Sequence, residues 1–175
     1  MTLFIGCAGW SLSRAYAEAF AQVGSHLQRY AARLGAVEIN SAFYRPHKPQ
    51  TYARWAASVP DHFRFSVKVP KTITHEQRLH ACDALLEAFL EQSGQLGERL
   101  GCLLVQLPPS LQYDPHVARR FFEAVRRRYA GQRLAAQLRA SCEANVTTWC
   151  IFDNTAAGAA LGNALALQAS LDLVR

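Results

Sequence analysis

The chain has 175 residues, which is enough for one domain with its own core and too few for two comfortable ones. Half of the residues are hydrophobic and 18% are charged, so the composition excludes an intrinsically disordered chain. No apolar run reaches the roughly 18 residues that a membrane-spanning helix needs. The N-terminus, MTLFIGCAGWS, lacks a basic stretch followed by a long apolar one, so we expect no secretory signal and a cytoplasmic location.

Cysteine spacing and short motifs remove several classes of protein. The five cysteines form no Cys-x-x-Cys pair, which favours neither a zinc site nor a disulfide framework. We interpret most of them as small apolar residues of the interior in a reducing compartment. The GxGxxG, GxxxxGK[ST], HExxH and GxSxG motifs are also missing, which argues against the commonest nucleotide-binding, zinc-protease and serine-hydrolase classes. The sequence identifies no cofactor, and the metal requirement stays open.

Strand and helix patterns alternate from the beginning of the chain. Leu3–Ala8 is a short apolar run and predicts a strand. His26–Leu34 has apolar residues at helical spacing and ends at Gly35, a typical helix C-cap. Ala36–Phe43 predicts a second strand, and Gln50–Ala57 predicts a helix that ends before a proline.

The alternation continues to the C-terminus. Phe63–Val69 predicts a third strand, and Thr74 is the predicted N-cap of a long helix that runs to about Leu96. The remaining predicted elements are a strand at Gly101–Leu107, helices at Pro115–Arg128 and Arg133–Ala144, a strand at Thr147–Phe152 and a helix at Thr155–Leu171. Strands that are apolar on both faces and alternate with helices predict an α/β fold with a parallel sheet.

Polar residues recur where the predicted strands end, which is where parallel α/β proteins bind ligands. Glu38 and Asn40 share one face of the second strand because they are two residues apart, and Lys68 lies on the third strand. We expect Glu38 and Lys68 to pair, either as an acid/base and anion-holding pair or as a structural ion pair. The other candidate site residues are Trp10, Tyr44, His75, Gln106, Asp153 and Asn154.

Several of these candidates have a second interpretation. His75 follows the strand that carries Lys68, but a lone histidine at the start of a helix is more often a capping or surface residue. Asp153 and Asn154 suit a polar ligand or a metal, but they are also an ordinary helix cap. Trp10 and Tyr44 would form an aromatic wall for a sugar or a base, or simply pack. We interpret the remaining histidines as surface residues because they lack ligand spacing: His26, His47, His62, His80 and His116.

The net charge of +6 is concentrated in arginine-rich segments. The predicted helix Pro115–Arg128 carries five arginines, which favours contact with nucleic-acid phosphates or forms a solvated outer face. These residues are Arg119, Arg120, Arg126, Arg127 and Arg128.

Four segments together resemble one known family: IGCAGWS, VEINSAFYRPHKPQTYARWAASVPDHFRFSVKVPKTITH, LGCLLVQLPPSL and CIFDNTAAGAALGNALAL. They are similar to the domain-of-unknown-function 72 family (DUF72, YecE-like) over most of residues 3–169. The resemblance implies a TIM-type α/β barrel of unestablished biochemical function, usually bacterial and cytoplasmic. The family's motif positions fall on Trp10, Glu38, Asn40, Tyr44, Lys68, His75, Gln106, Asp153, Asn154 and Asn163.

The chain departs from that family in one respect. Members carry, after the fourth helix, a strand with a Glu-x-Arg motif and a later strand that ends in Arg-x-His-Gly, and neither strand is present at that place in this chain. Five strands are predicted, whereas a full barrel needs about eight strands and about 250 residues. We therefore predict a single domain over residues 1–175 that is an incomplete barrel, with an internal deletion near residues 129–133 and open sheet edges through which it would oligomerise.

Three functional hypotheses follow. The first is a strand-end pocket for a small polar or phosphorylated ligand, in which Glu38 is the acid/base, Lys68 the anion anchor, His75 a further catalytic candidate and Asp153 a second carboxylate or metal ligand. Loss of half of the presumed site argues against activity in this shortened chain. The second is a nucleic-acid-associated protein that uses the basic helix 115–128. The third is a non-functional remnant of a full barrel.

Overall fold

The computed structural model describes residues 3–128, 148–152 and 159–172. Its centre is a five-stranded sheet whose strands are all parallel, in the order β4-β3-β2-β1-β5. The strands are β1 Leu3–Ala8, β2 Ala36–Ile39, β3 Arg64–Lys68, β4 Leu100–Leu104 and β5 Thr148–Phe152. Successive strands are neighbours from β1 to β4, and the last strand returns to lie beside the first. The predicted α/β class and parallel sheet are confirmed.

The described residues contain five α-helices that connect or follow the strands, each within a region where the sequence predicts a helix. They are α1 His26–Ala31, α2 Pro49–Ala57, α3 Asp83–Ser93, α4 Pro115–Arg128 and α5 Ala159–Asp172. Short 3₁₀ turns lie at Arg14–Ala19, Ser41–Phe43 and Gly94–Arg99, and a π turn lies at Thr72–Glu76. Across the described helices, none is long and apolar enough to span a membrane.

Four predicted elements are wrong in their bounds by three residues or more. The helix predicted to reach Leu34 ends at Ala31, and the strand predicted to reach Leu107 ends at Leu104. The second strand stops at Ile39, and the chain then turns into the 3₁₀ segment Ser41–Phe43. Thr74 does not cap a long helix, because its hydroxyl donates a hydrogen bond to the carbonyl of Pro70 at 3.2 Å. The helix begins nine residues later, at Asp83, because the intervening residues Arg78, Leu79 and Ala81 have φ values of +49°, +67° and +45°. The predicted helix 133–144 and the predicted deletion near 129–133 lie outside the described residues.

The core lies on one face of the sheet, beneath the helices. Val37 and Ile39 of β2 and Phe65 and Val67 of β3 are all at most 1% exposed. Tyr30 of α1 joins this face to the strands, since its hydroxyl accepts a hydrogen bond from the Cys7 amide at 2.8 Å and donates one to the Ala36 carbonyl at 3.0 Å. One helical side chain therefore ties β1 to β2.

The close approach of β1 and β2 depends on a glycine. Gly6 lies in register with Ala36, and a Cβ at Gly6 would come within 2.1 Å of the Ala36 carbonyl oxygen. No real Cβ tolerates that distance, so the strand pairing as observed requires glycine at this position.

Candidate functional site

A row of polar side chains crosses three neighbouring strands on the face opposite the core. Glu38 of β2 lies in register with Ser66 of β3, and Ser66 lies in register with Cys102 of β4. The register shifts between Phe65, which pairs with Leu100, and Ser66. Gly101 is the extra residue that brings Cys102 level with Ser66. We call Glu38, Ser66 and Cys102 the polar row.

Two of the three residues of the polar row are buried, and Cys102 is partly exposed. Glu38 is 6% exposed and Ser66 is 3% exposed. Burial raises the pKa of the Cys102 thiol and the nearby Glu38 charge raises it further, while a hydrogen bond with Ser66 opposes both effects. Cys102 is therefore a protonated thiol at neutral pH rather than a nucleophilic thiolate. Its position in one row with a candidate acid/base was not evident from cysteine spacing.

Lys68 lies one step further along the same face of β3. It is 7% exposed, and its Nζ lies 4.6 Å from the centre of the Phe43 ring. Ion pairs between described residues include Lys71 with Glu76, Arg99 with Asp61 and Arg128 with Asp83. The expected direct pairing of Lys68 with Glu38 is not among them. The reason is the register: Glu38 faces Ser66, which places Lys68 two residues beyond it.

Two further candidate residues, His75 and Tyr44, contact the Phe43 ring on which the Lys68 ammonium lies. The ring of His75 meets the Phe43 ring edge to face at 5.0 Å, and the His75 Nδ1 lies 2.9 Å from the Thr74 hydroxyl oxygen. Tyr44 meets the same ring at 5.1 Å and is 68% exposed. We call Lys68, Phe43, Tyr44 and His75 the Phe43 cluster. Sequence reasoning missed Phe43 because it read as the last apolar residue of a strand.

Asn40 contributes an unsatisfied acceptor at the end of β2. Its Oδ1 is buried and has no hydrogen-bond partner within the described part of the chain. A buried carbonyl without a donor costs about 1–3 kcal/mol. A ligand hydroxyl or amine would remove that cost.

A second aromatic group lies beside the first. Trp10 packs edge to face on Trp55 at 5.0 Å, and His47 packs on Trp55 at 5.1 Å. The His47 Nε2 lies 2.8 Å from the hydroxyl of Ser41, and burial, followed by the charge of Arg45, lowers the His47 pKa. His47 is thus a partly buried residue rather than a freely exposed one as predicted, because Tyr52 and Trp55 of α2 pack against its ring. Trp10 therefore has at least one packing contact, with Trp55.

The remaining candidates do not join these groups in the described structure. Gln106 is exposed and follows β4. Asp153 and Asn154 lie outside the described residues, and Asn163 falls in α5. A cavity of about 400 Å³ opens at the end of β1 between Gly9, Ser11 and Leu161. Among the described residues, no three His, Cys, Asp or Glu side chains form a group that could hold a metal ion.

The five arginines of α4 are all solvent-exposed residues, while Phe121 and Ala124 are buried. Arg128 forms an ion pair with Asp83 at 2.8 Å. Arg120 and Arg127 line a groove of about 300 Å³ against the segment from Leu79 to Asp83. This helix is amphipathic, with a basic outer surface.

Most of the chain matches one protein-family model. The model of the family "Protein of unknown function DUF72" matches residues 4–139. The chain belongs to the DUF72 family. A curated relative, the UPF0759 protein YecE of Escherichia coli K12, is 35% identical over 107 residues, which are 61% of this chain and 38% of YecE. The predicted family membership is confirmed, and the family description assigns no activity.

Solved DUF72 structures share the fold. One from Enterococcus faecalis V583, at 3.10 Å resolution, has a TM-score of 0.60 and 24% identity, covering 74% of this chain and 48% of its own. Another, from Thermotoga maritima MSB8, has a TM-score of 0.55 and 21% identity, covering 87% of this chain and 56% of its own. The chain thus spans about half the length of the solved DUF72 proteins that it matches.

Proposed function

We propose that this DUF72 chain provides part of a strand-end pocket for a small polar ligand that carries an anionic group, such as a phosphate. The proposal rests on the surroundings of the Lys68 side chain. Its ammonium is nearly buried at the carboxyl end of β3 and is stacked on Phe43, with no ion pair among the described residues. A buried charge costs several kcal/mol unless it is paired, so a site of this kind favours an anion.

The neighbouring residues suit the rest of such a ligand. Asn40 offers a buried acceptor for a hydroxyl, and Glu38 is the acid/base candidate. His75 lies on the same aromatic ring as Lys68. Trp10, Tyr44, Gln106, Asp153 and Asn154 remain proposed ligand contacts, with Asp153 as a second carboxylate or metal ligand. Because the chain spans half of its relatives, the proposal covers binding and not turnover by this chain alone.

Binding of inorganic phosphate and of ribose 5-phosphate tests the proposal. We expect either probe to raise the melting temperature of the wild type, because a ligand that binds only the folded state stabilises it. Lys68→Met should abolish that rise. Lys71→Met is the matched control, since Lys71 is half-exposed and paired with Glu76 at 3.4 Å. An equal response of the wild type and both variants, or no response in any of them, contradicts the proposal.

A second candidate function is nucleic-acid association through α4. The observation that favours it is that five arginines are exposed on one 14-residue helix, and that within the described chain only Arg128 of these five is in an ion pair. Binding to DNA or RNA should then weaken steeply as salt rises, because phosphate contacts release counterions. An absence of binding at low salt would eliminate this candidate.

We further propose a cytoplasmic location. The thiols of Cys7, Cys82 and Cys102 are free, and Cys7 and Cys82 are buried. Free buried thiols are typical of reducing compartments. Fractionation of cells that express the tagged chain provides the measurement.

A further inference from the structure

A groove lies between the segment that precedes α3 and the first half of α4. One hollow of about 570 Å³ is lined mainly by residues of 78–80 and 111–118. A second hollow of about 300 Å³ continues along α4, opposite the segment 79–83. The two hollows form one groove because they share the same four lining residues: Leu79, His80, His116 and Val117. We call it the α4 groove.

One wall of the α4 groove has a strained backbone. Arg78 and Leu79 have φ values of +49° and +67°, which side chains with a Cβ rarely adopt. Hydrogen bonds hold this conformation, since the Leu79 amide donates to the Ile73 carbonyl at 3.0 Å and the His80 amide donates to the Gln77 carbonyl at 2.8 Å. Leu79 is buried, while Arg78 and His80 on either side of it are exposed. Backbone strain of this kind is concentrated at ligand sites.

The opposite wall is a polar stripe along α4. His116, Arg120, Glu123 and Arg127 all line the groove and follow one another at intervals of four, three and four residues, which places them on one face of the helix. Arg120 and Arg127 are two turns apart, or about 10 Å along the helix axis. The two guanidinium groups can therefore contact different phosphates of one strand.

The charges that line the α4 groove leave a positive excess. Of its carboxylates, Asp83 pairs with Arg128 at 2.8 Å, and Asp114 accepts hydrogen bonds from the amides of His116 and Val117 at 2.8 and 3.2 Å. The third carboxylate is Glu123. Three arginines face these groups without an ion pair in the described part of the chain: Arg78, Arg120 and Arg127.

An exposed aromatic ring lies beside these charges. Tyr113 lines the larger hollow and is 73% exposed. Proteins that bind single-stranded nucleic acid combine a basic groove, which follows the phosphates, with aromatic side chains on which bases stack. An acidic peptide would use the arginines but has no base for the ring. The bases of a duplex are already stacked on one another and do not reach it.

We propose that the α4 groove binds single-stranded nucleic acid, with phosphates on Arg120 and Arg127 and a base stacked on Tyr113. This inference rests on the nucleic-acid candidate described above, and it adds the form of the strand and the place where it lies. Arg78 supplies a further phosphate contact from the opposite wall. The five arginines of α4 then have different roles, because only Arg120 and Arg127 among them line the groove.

Fluorescence anisotropy of a labelled oligothymidine of about 12 nucleotides tests the stacking contact. We expect Tyr113→Ala to weaken binding by at least about fivefold, which is the lower end of what one stacked base contributes. Tyr113→Phe keeps the ring and should bind like the wild type. Since Tyr113 is exposed, neither change removes a core side chain.

The salt dependence of the same binding tests the phosphate contacts. Each phosphate contact contributes about 0.7 to the slope of log K against log salt for a single strand, so the double variant Arg120→Gln/Arg127→Gln should make the slope shallower by about 1.4. Arg54→Gln is the matched control, because Arg54 is an exposed arginine on α2, outside the α4 groove. Its slope should equal that of the wild type.

The outcomes separate this inference from the broader candidate. Oligothymidine binding that Tyr113→Ala leaves unchanged, or equally tight binding of a labelled duplex of the same length, overturns the single-strand groove and leaves nucleic-acid association through α4 standing. Displacement of the oligonucleotide by polyglutamate as readily as by unlabelled oligothymidine also overturns it, since the groove would then take acidic chains in general. No binding of strand or duplex at low salt eliminates both.

Discussion

Replacing Lys68 by methionine separates a ligand-holding lysine from a structural one. Methionine has a similar length and fills the same space against Phe43 without a charge. The variant loses the cation–π contact at 4.6 Å, which is worth about 0.5–2 kcal/mol. It also removes the cost of burying an ammonium that is 7% exposed, which is several kcal/mol in order of magnitude. The two effects have opposite signs.

The second effect is the larger one, so we expect Lys68→Met to be about 1–3 kcal/mol more stable than the wild type in the absence of anions. Urea denaturation at an unchanged m-value measures this difference in unfolding free energy. At a phosphate concentration about tenfold above Kd, the wild type should gain about 1.4 kcal/mol and the variant nothing. A fall in stability of more than about 2 kcal/mol in the variant would show that Lys68 holds a structural ion pair, and would refute the reasoning.

Three further predictions concern the strands and the titrating groups. Gly6→Ala should destabilise the chain by several kcal/mol or prevent folding, because its Cβ would lie 2.1 Å from the Ala36 carbonyl oxygen. Gly94→Ala is the control, since a Cβ at Gly94 has open space around it, and urea denaturation should show almost no change in its stability. The rate of Cys102 alkylation should rise with pH through a midpoint above 9.0. Glu38→Gln should lower that midpoint by removing a nearby negative charge, and an unchanged midpoint would contradict the electrostatic effect of Glu38 on the thiol. The pKa of His47 in the folded protein should lie below 6.5 when it is measured by NMR. The unfolded state then binds the proton more tightly than the folded state does. The stability that neutral His47 contributes is therefore present above pH 6.5 and is lost as the pH falls through the folded pKa. A His47→Phe variant should lose that part of the acid sensitivity.

The sequence by itself determined the family, the class of fold and most of the elements. β1 at Leu3–Ala8 and α4 at Pro115–Arg128 have the predicted bounds, because apolar runs, prolines and helical spacing act over a few residues. The same local rules place Glu38 and Lys68 correctly on neighbouring strands. Family motifs added the expectation of a barrel, which no local pattern contains.

Only the tertiary structure decided which of those residues meet. Lys68 contacts Phe43 rather than Glu38, since contact across a sheet depends on register, and register depends on the packing of both strands. Cys102 reaches Ser66 through a one-residue shift at Gly101, and His47 is half-buried by Trp55, which lies on another element. The helix expected at Thr74 is displaced to Asp83 by three residues with positive φ, a conformation that their side chains do not favour and that the surrounding fold imposes.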